Sequence, residues 1–398
     1  MLLNRSRAID WMKRCGLDAL IATTPVNVHY FADYYDWLGP TFKRYMMEPG
    51  ASSALESYYA LLTIDGEGEL IIPPIMHPNA LGTWMQLNLP PTAEPSNARD
   101  TTPQPMLGAL IDVVRRRKLV DARIGLEFEQ MPADERQFFI DTFENAHIGD
   151  CSNLLRLIRM VKSPTEIERL RNGSQISEIA AFESLAVAAP GRPTTDLIHA
   201  FRCSLARQGA DLEHYSLSIR GQGIADRPDF ELVENEAMFF DWGCIYEHYF
   251  TDTGTTLVIG KATERDRELY RGLSEGTRAA AAAMRPGVKC SQVRRVFQQA
   301  LLDHGVPEAA AREAHGHGLG LEVRDYPIVV ADNGRHIRDD CVDVPSDLVL
   351  EENMVINLEV GLMQEDDRAR HREQTFVVTA DGVELITHQD RSQPLERP

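Results

Sequence analysis

Short apolar runs alternate with amphipathic stretches over the first 150 residues of the chain. A helical pattern over residues 8–15 leads into an apolar run at 19–22, and residues 107–114 carry Leu, Leu, Ile and Val at helical spacing. Apolar runs at 58–64 and 69–73 flank the sequence Asp-Gly-Glu-Gly, which is typical of a hairpin turn. Strands that alternate with helices predict an α/β domain built on a mixed or parallel sheet.

A strong helix start marks the passage to a second domain. Ser163 can cap this helix, Pro164 suits its first turn, and Glu166 stands where a capping box places an acid. We therefore predict an N-terminal α/β domain over residues 1–155 and a catalytic domain over residues 156–398. The chain has 398 residues, more than one hydrophobic core usually supports, which agrees with two domains.

Beyond that join, the sequence repeats with a constant offset. The residues Pro-Gly, Phe, Leu and Gly at 190–191, 201, 205 and 209 recur 96 positions later, at 286–287, 297, 301 and 305. In each copy a helix ends at Pro-Gly, a second helix follows, and a Gly ends the second helix. The repeat predicts two similar halves of the catalytic domain, facing each other across a pseudo-twofold axis.

Two apolar strand-forming runs end in acids. Residues 237–240 (Ala-Met-Phe-Phe) precede Asp241, and residues 354–358 (Met-Val-Ile-Asn-Leu) precede Glu359. A carboxylate that follows such a run is expected to be near-buried, and a buried charge must be paired or bound to a metal. The two halves of the repeat would bring these strands together.

Three further residues complete a candidate two-metal ligand set, which comprises Asp241, Asp252, His317, Glu359 and Glu373. Taken singly, each is more often a turn, strand-end or loop residue. Together the four carboxylates neutralise two divalent cations, and carboxylates can bridge two metals where imidazoles or thiolates alone cannot. The oxygen-rich set favours Mn²⁺, Fe²⁺ or Co²⁺ and allows Zn²⁺.

This ordered set resembles the metal site of the creatinase, prolidase and methionine aminopeptidase superfamily. There, an Asp is followed after ten residues by a second Asp, then by a Gly-His-Gly segment, a Glu in a hydrophobic strand and a Glu before the final hairpin; all five positions match. The resemblance implies a mixed α/β (α+β) fold, with a creatinase-like N-terminal domain and a C-terminal pita-bread catalytic domain with an internal pseudo-twofold repeat. It also implies a homodimer and a general base at Glu359.

Several positions depart from the pattern of that superfamily. Its peptidases carry two further histidines, one ahead of the first metal-binding strand and one seven residues after the metal-binding His. No histidine occurs between residues 215 and 247, and the second position is Arg324. Val360 replaces a Pro, and His371 stands where an Arg or Lys is common. The neighbouring His315 is interpreted as a residue behind the metal ligands or in a turn.

Arg324 has two interpretations. A guanidinium suits a carboxylate-bearing substrate, which it can bind through two parallel hydrogen bonds. The alternative is an ion pair with Glu322, Asp325 or another acid of this acidic chain.

Three hypotheses about function follow from these residues. The first is a dinuclear metal-dependent hydrolase similar to Xaa-Pro dipeptidases and aminopeptidases. The second is a non-peptidase of the same fold that cleaves a C–N or C–S bond in a small carboxylated metabolite, as creatinase or a dimethylsulfoniopropionate lyase does. The third, a binding protein that has lost catalysis, is disfavoured because a pure binder has no need for five metal ligands.

Composition limits the partners and the compartment. The formal net charge of −19 argues against nucleic acid or an anionic membrane as a partner. No run approaches the roughly eighteen apolar residues of a membrane span, and the N-terminus lacks the apolar core of a signal peptide. Six scattered cysteines predict reduced thiols and a cytoplasmic location.

Overall fold

The computed structural model describes residues 1–36, 57–89, 105–219, 225–226, 229–365, 368–387 and 393–397. The chain forms two compact units. The first comprises Met1–Arg159 and His336–Val344, and the second comprises Met160–Arg335 and Pro345–Pro398. The division between residues 155 and 156 stays a prediction about domains; the compact units divide the chain four residues later.

The first unit contains a mixed six-stranded sheet. Its strands are β1 (Ala19–Ala22), β2 (Tyr59–Thr63), β3 (Gly68–Ile71), β4 (Gln86–Asn88), β5 (Arg123–Leu126) and β6 (His147–Asp150), in the spatial order β4-β3-β2-β1-β5-β6. Its helices are α1 (Arg5–Cys15), α2 (Pro25–Ala32), α3 (Pro105–Arg116), α4 (Ala133–Thr142) and α5 (Ser152–Arg159), with a 3₁₀ helix at Pro74–Ala80. Antiparallel pairing of β2 with β1 and β3, and parallel pairing of β5 with β1 and β6, confirm the predicted mixed sheet.

Apolar side chains at helical spacing hold α3 against this sheet. Leu107, Leu110 and Val114 are buried in one cluster with the sheet residues Leu61 and Ile124. Burial of each such side chain stabilises the unit by roughly 1.5–3 kcal/mol, which is why the amphipathic pattern identified the helix correctly.

The second unit is built on an eleven-stranded sheet flanked by helices. Its helices are α6 (Pro164–Ser184), α7 (Thr194–Arg207), α8 (Glu264–Ala283), α9 (Cys290–Asp303) and α10 (Glu308–Glu313), with a 3₁₀ turn at Leu185–Val187. Its strands in sequence order are β7 (Asp211–Ser218), β8 (Ala225–Asp226), β9 (Ala237–Tyr246), β10 (Tyr249–Phe250), β11 (Thr253–Ile259), β12 (His315–Gly318) and β13 (Asp325–Val329). They continue with β16 (Val355–Glu365), β17 (Arg368–Val378), β18 (Val383–Leu385) and β19 (Leu395–Arg397). The strands β14 (His336–Arg338) and β15 (Asp343–Pro345) form a separate two-stranded sheet, and apart from Pro345 they belong to the segment His336–Val344 of the first unit.

The predicted helix start at Ser163 is present. The Ser163 hydroxyl accepts a hydrogen bond from the backbone N–H of Glu166, whose carboxylate accepts one from the Ser163 backbone N–H at 2.7 Å. Pro164 occupies the first helical turn. Each half of the box satisfies a backbone donor that the helix cannot satisfy itself.

The repeat at an offset of 96 is a structural repeat. Helices α7 and α9 each have 14 residues, and both their first and their last residues differ by that offset. Each is followed by a glycine with positive φ, 75° at Gly209 and 78° at Gly305, where the left-handed conformation favours glycine. In the sheet order β13-β12-β16-β17-β11-β9-β7-β8, four strands from each half meet where β11 pairs with β17, so the sheet order is mirrored about its centre.

Alternation along β9 separates the core from the site. Phe240 and Trp242 lie in the hydrophobic core with Phe201 of α7 and Tyr215 of β7. Because successive side chains of a strand point to opposite faces, Asp241 faces away from this core.

Candidate metal centre

A single register row crosses the centre of the large sheet. Asp241 of β9 pairs with Gly254 of β11, which pairs with Glu373 of β17; Glu373 pairs with Glu359 of β16, and Glu359 pairs with His315 of β12. Directly paired residues of neighbouring strands share a face of the sheet. The row therefore places three carboxylates and one imidazole side by side on the face that lies opposite the core.

Residues two positions from this row face the same way and complete the cluster. Asp252 lies two residues before Gly254, His317 two residues after His315, and His371 two residues before Glu373. The Nε2 atom of His317 lies 3.6 Å from an oxygen of Asp252 and 3.8 Å from an oxygen of Glu359. The structure thus brings all five sequence-predicted residues together.

Three overlapping groups of donor atoms lie in the cluster. They are His214, Asp241 and Asp252; Asp252, His317 and Glu373; and Glu359, His371 and Glu373, with the donor atoms of each group all within 4.8 Å of one another. Asp252 and Glu373 each belong to two groups. Carboxylates shared in this way are the ones able to bridge two cations.

Two buried polar atoms without hydrogen-bond partners indicate that the cluster can bind a metal ion. The Nδ1–H of His317 donates to the carbonyl of Gly318 at 3.0 Å, which leaves the lone pair on Nε2. That Nε2 atom is buried without a hydrogen-bond partner, and so is one carboxylate oxygen of Glu373. Burial lowers the pKa of His317, which keeps the imidazole neutral as a metal ligand requires. The residues therefore fit a bound divalent cation.

The carboxylates of the cluster bring together more negative charge than its imidazoles neutralise. Burial and the neighbouring Asp241 raise the pKa of Asp252 to about 8. Burial and then Asp252 raise the pKa of Glu373 well above its usual range. Burial also opposes ionisation of Asp241, but the His214 imidazole outweighs it and lowers the pKa of that carboxyl. Bound cations would relieve the repulsion, because they favour the ionised form of every carboxyl they touch.

Glu359 has a different environment. Its Oε1 atom lies 2.6 Å from Nε2 of His315 and accepts a hydrogen bond from Arg324 at 3.0 Å. Burial raises the pKa of Glu359, but the hydrogen bond and charge of His315 outweigh it and lower the value to about 2. The Nδ1 atom of His315 faces the carbonyl of Glu313 at 2.8 Å, so both of its nitrogens face acceptors. Burial lowers the pKa of His315, but the hydrogen bond with Glu359 outweighs it and raises the value, which favours the imidazolium.

One contact of Arg324 bears on both interpretations of this residue. Its guanidinium forms an ion pair with Glu359 and lies 3.5 Å from Nε2 of His315, while 59% of its side chain is exposed. The acid it pairs with is therefore a member of the cluster, and the guanidinium stands at the edge of the candidate site. A role in substrate binding stays a prediction.

Sequence reasoning missed two histidines of the cluster. His214 lies one residue before the segment in which a histidine was expected and not found, and its Nε2 atom is 2.9 Å from an oxygen of Asp241. His371 is fully buried, stacked on the Phe239 ring with centroids 3.9 Å apart, and its Nε2 atom lies 3.5 Å from Glu373. Although the chain lacks two histidines of the family pattern, the cluster therefore contains the two further imidazoles of His214 and His371.

The sequence that begins at His214 alternates between polar and apolar residues. Residues 214, 216 and 218 are polar, whereas Tyr215, Leu217 and Ile219 are apolar and buried in the core. Such alternation predicts a strand whose polar residues face the same side as the acids of its neighbour. Much of the loop that follows, residues 220–224 and 227–228, lies outside the described residues.

Comparisons with known proteins agree with this geometry. The model of metallopeptidase family M24 matches residues 168–380, and the model of the creatinase/prolidase N-terminal domain matches residues 5–161. The chain belongs to metallopeptidase family M24 and is a metal-dependent enzyme of that family. The creatinase/prolidase superfamily and its pita-bread fold, predicted from the five-residue pattern, are confirmed.

Three similar proteins illustrate the range of the family. An uncharacterized peptidase of Staphylococcus aureus (strain MW2) is 23% identical over 392 residues, which are 97% of this chain and 99% of that protein. The prolidase of Pyrococcus horikoshii OT3 superposes with a TM-score of 0.72 at 18% identity, covering 97% of this chain and 98% of that one. The X-Pro aminopeptidase of Thermotoga maritima MSB8 superposes with a TM-score of 0.74 at 19% identity, covering 98% and 100%.

Among the residues that the structure describes, no helix combines the length and the apolar composition needed to span a membrane.

Proposed function

We propose that this protein is a dinuclear metal-dependent hydrolase that cleaves small dipeptides of the Xaa-Pro type. The observation that carries the proposal is the register row joining Asp241, Glu373 and Glu359 across three strands, with Asp252 and His317 beside it. The similar prolidase and X-Pro aminopeptidase structures support the substrate class. In this proposal Asp241, Asp252, His317, Glu359 and Glu373 hold two divalent ions, Mn²⁺, Co²⁺, Fe²⁺ or Zn²⁺.

Two such ions would acidify a shared water molecule and polarise the carbonyl of the scissile bond. Glu359 is the general base of the proposal. Its side chain is largely buried, and the hydrogen bond and charge of His315 keep the carboxylate ionised, as a general base must be before it takes a proton. His315, held as an imidazolium, can in turn give a proton to the leaving amine.

A panel of substrates and metals tests the proposal. The metal-free protein would be loaded with Mn²⁺, Co²⁺ or Zn²⁺ and assayed against Xaa-Pro dipeptides and against dipeptides without proline. We expect metal-dependent hydrolysis of Xaa-Pro dipeptides that Glu359→Gln abolishes. A protein that binds no divalent ion at micromolar concentration would contradict the dinuclear site itself.

Arg324 favours a second candidate function. An exposed guanidinium at the edge of the cluster, where peptidases of the superfamily carry a histidine, suits a substrate carboxylate close to the reacting bond. This candidate is a hydrolase or lyase that cleaves a C–N or C–S bond in a small carboxylated metabolite. Turnover of ureido acids, guanidino acids or betaine-like compounds, with no turnover of dipeptides, would favour it over the first.

We also propose a homodimer in the cytoplasm. The resemblance to the superfamily supports the dimer, and the scattered positions of the six cysteines in the sequence support a reducing compartment. Sedimentation of the purified protein and fractionation of its source cells test the two statements separately.

A further inference from the structure

His214 lies against the carboxylates at the β9 end of the cluster. Its Nε2 atom is 2.9 Å from Oδ1 of Asp241 and 3.6 Å from Oδ1 of Asp252. Donor atoms that share one cation at roughly 2.1 Å lie about 3–3.5 Å from one another. The two distances from Nε2 are close to this spacing, and the donor atoms of His214, Asp241 and Asp252 all lie within 4.8 Å of one another.

The orientation of the His214 ring is fixed from behind. Its Nδ1 atom contacts the carboxylate of Glu213, which can hold a proton on Nδ1. A cation that displaces the proton shared between Nε2 and Asp241 would therefore meet the Nε2 lone pair. A carboxylate behind a histidine is the usual arrangement for metal-binding imidazoles, because it sets the tautomer and strengthens the ligand. Opposite the ring lies Gly243, where an added Cβ would come within 2.7 Å of His214 Cε1, so glycine leaves room for the imidazole.

The composition of the groups of donor atoms gives a second argument for His214 as a metal ligand. The group around His317 and the group around His214 each contain one imidazole and two carboxylates, and they share Asp252. Without His214, the carboxylates at the β9 end would hold a cation through oxygen alone. With it, the two cations have similar ligand sets.

We propose that His214 is a metal ligand, which completes the β9-side cation site together with Asp241 and Asp252. The inference rests on the dinuclear site of the proposed function and adds a sixth protein ligand to it. Imidazole nitrogen suits Fe²⁺, Co²⁺ and Zn²⁺ better than it suits Mg²⁺ or Ca²⁺, so His214 also narrows the metals that this site would select.

Metal binding and spectroscopy of the intact protein test the inference without an activity assay. The metal-free protein would be titrated calorimetrically with Co²⁺, and X-ray absorption of the Co²⁺-loaded protein would count bound imidazoles. We expect two equivalents and two imidazoles in the wild type. His214→Ala and His214→Asn should lose one imidazole and bind one equivalent at least about tenfold more weakly. Glu213→Gln should weaken the same equivalent by less, and the exposed His199 on α7 provides the matched control, His199→Ala.

The outcomes separate the two proposals. Two equivalents in both His214 variants, with affinities and imidazole count unchanged, would show that His214 only hydrogen-bonds to Asp241, and the inference would fail while the dinuclear site stood. No binding of Co²⁺ by the wild type would instead refute the dinuclear site. A His214 variant with the circular dichroism spectrum of the wild type and one weakened equivalent supports the inference.

Discussion

Gly254 lies directly between Asp241 and Glu373, paired with one on each side in the central strands of the large sheet. A Cβ added at Gly254 would clash with the ring of His371 and would come within 2.9 Å of the Phe240 carbonyl oxygen. The missing side chain thus provides the space in which His371 lies beside the carboxylates. The first prediction follows from this relationship.

Gly254→Ala should destabilise the protein by about 1–3 kcal/mol and weaken metal binding, because the His371 ring and β11 must both shift. The measurement is urea-induced unfolding of the metal-free protein, followed by Co²⁺ titration. The matched control is Gly108→Ala in helix α3, where an added Cβ meets nothing within 4 Å. Alanine there should stabilise the helix by roughly 0.5–1 kcal/mol. Equal stability of Gly254→Ala and the wild type would show that the site tolerates a side chain at this position.

Asp252→Asn should have opposite effects on the metal-free and the metal-loaded protein. Burial and repulsion from Asp241 raise the pKa of Asp252 to about 8, so a neutral amide relieves repulsion in the metal-free state. We expect a higher Tm for the metal-free variant at pH 8, and a loss of the Tm increase that divalent ions give the wild type. Thermal unfolding with and without Co²⁺ measures both. Full metal stabilisation of the variant would remove Asp252 from the ligand set.

Glu135 should make the protein less stable as the pH rises. It lies in the first turn of α4 with both carboxylate oxygens buried and without hydrogen-bond partners, and burial and then Asp134 raise its pKa to about 7 from a usual value of 4.5. The folded state therefore retains a proton that the unfolded state releases, and stability falls between about pH 4.5 and pH 7. Glu135→Gln should be more stabilising at pH 8 than at pH 4.5.

The control for Glu135 is Glu144→Gln, a change at an exposed acid of the same unit. Urea titrations at pH 4.5 and 8 compare the two variants with the wild type. A Glu135→Gln effect of the same size at both pH values would mean that the buried carboxyl ionises in the folded protein as easily as in the unfolded one.

Arg324 should affect the binding of a carboxylate-bearing substrate more than the rate of the chemical step. Its replacement by His should weaken binding of the natural acid substrate by about 1.5–3 kcal/mol, the loss expected for a hydrogen bond to a charged group. Steady-state kinetics would show this as an increase in KM larger than the decrease in kcat. Arg335→Ala, at an exposed arginine, is the control. Vigorous hydrolysis of Xaa-Pro dipeptides that Arg324→His leaves unchanged would contradict a role for Arg324 in substrate binding.

Local sequence patterns predicted several elements of both units, because interactions between residues a few positions apart form these elements. The capping box at Ser163, the apolar face of α3 and the Asp-Gly-Glu-Gly turn each depend on residues a few positions apart. The repeat was visible because helices α7 and α9 keep the same length and the same glycine ends. The four acids and one histidine of the metal pattern were recognised by their order and spacing, without knowledge of which strands pair.

The sequence by itself therefore determined several of the helices and strands, the repeat and the family to which the chain belongs. Only the tertiary structure decided which side chains share the site, because strand register joins residues more than a hundred positions apart, as it joins Gly254 to Glu373. His214 entered the cluster through the pairing of β7 with β9, and His371 through the space above Gly254. The ion pair between Arg324 and Glu359 also depends on the tertiary structure, because the order of residues in the chain does not show which distant residues lie together.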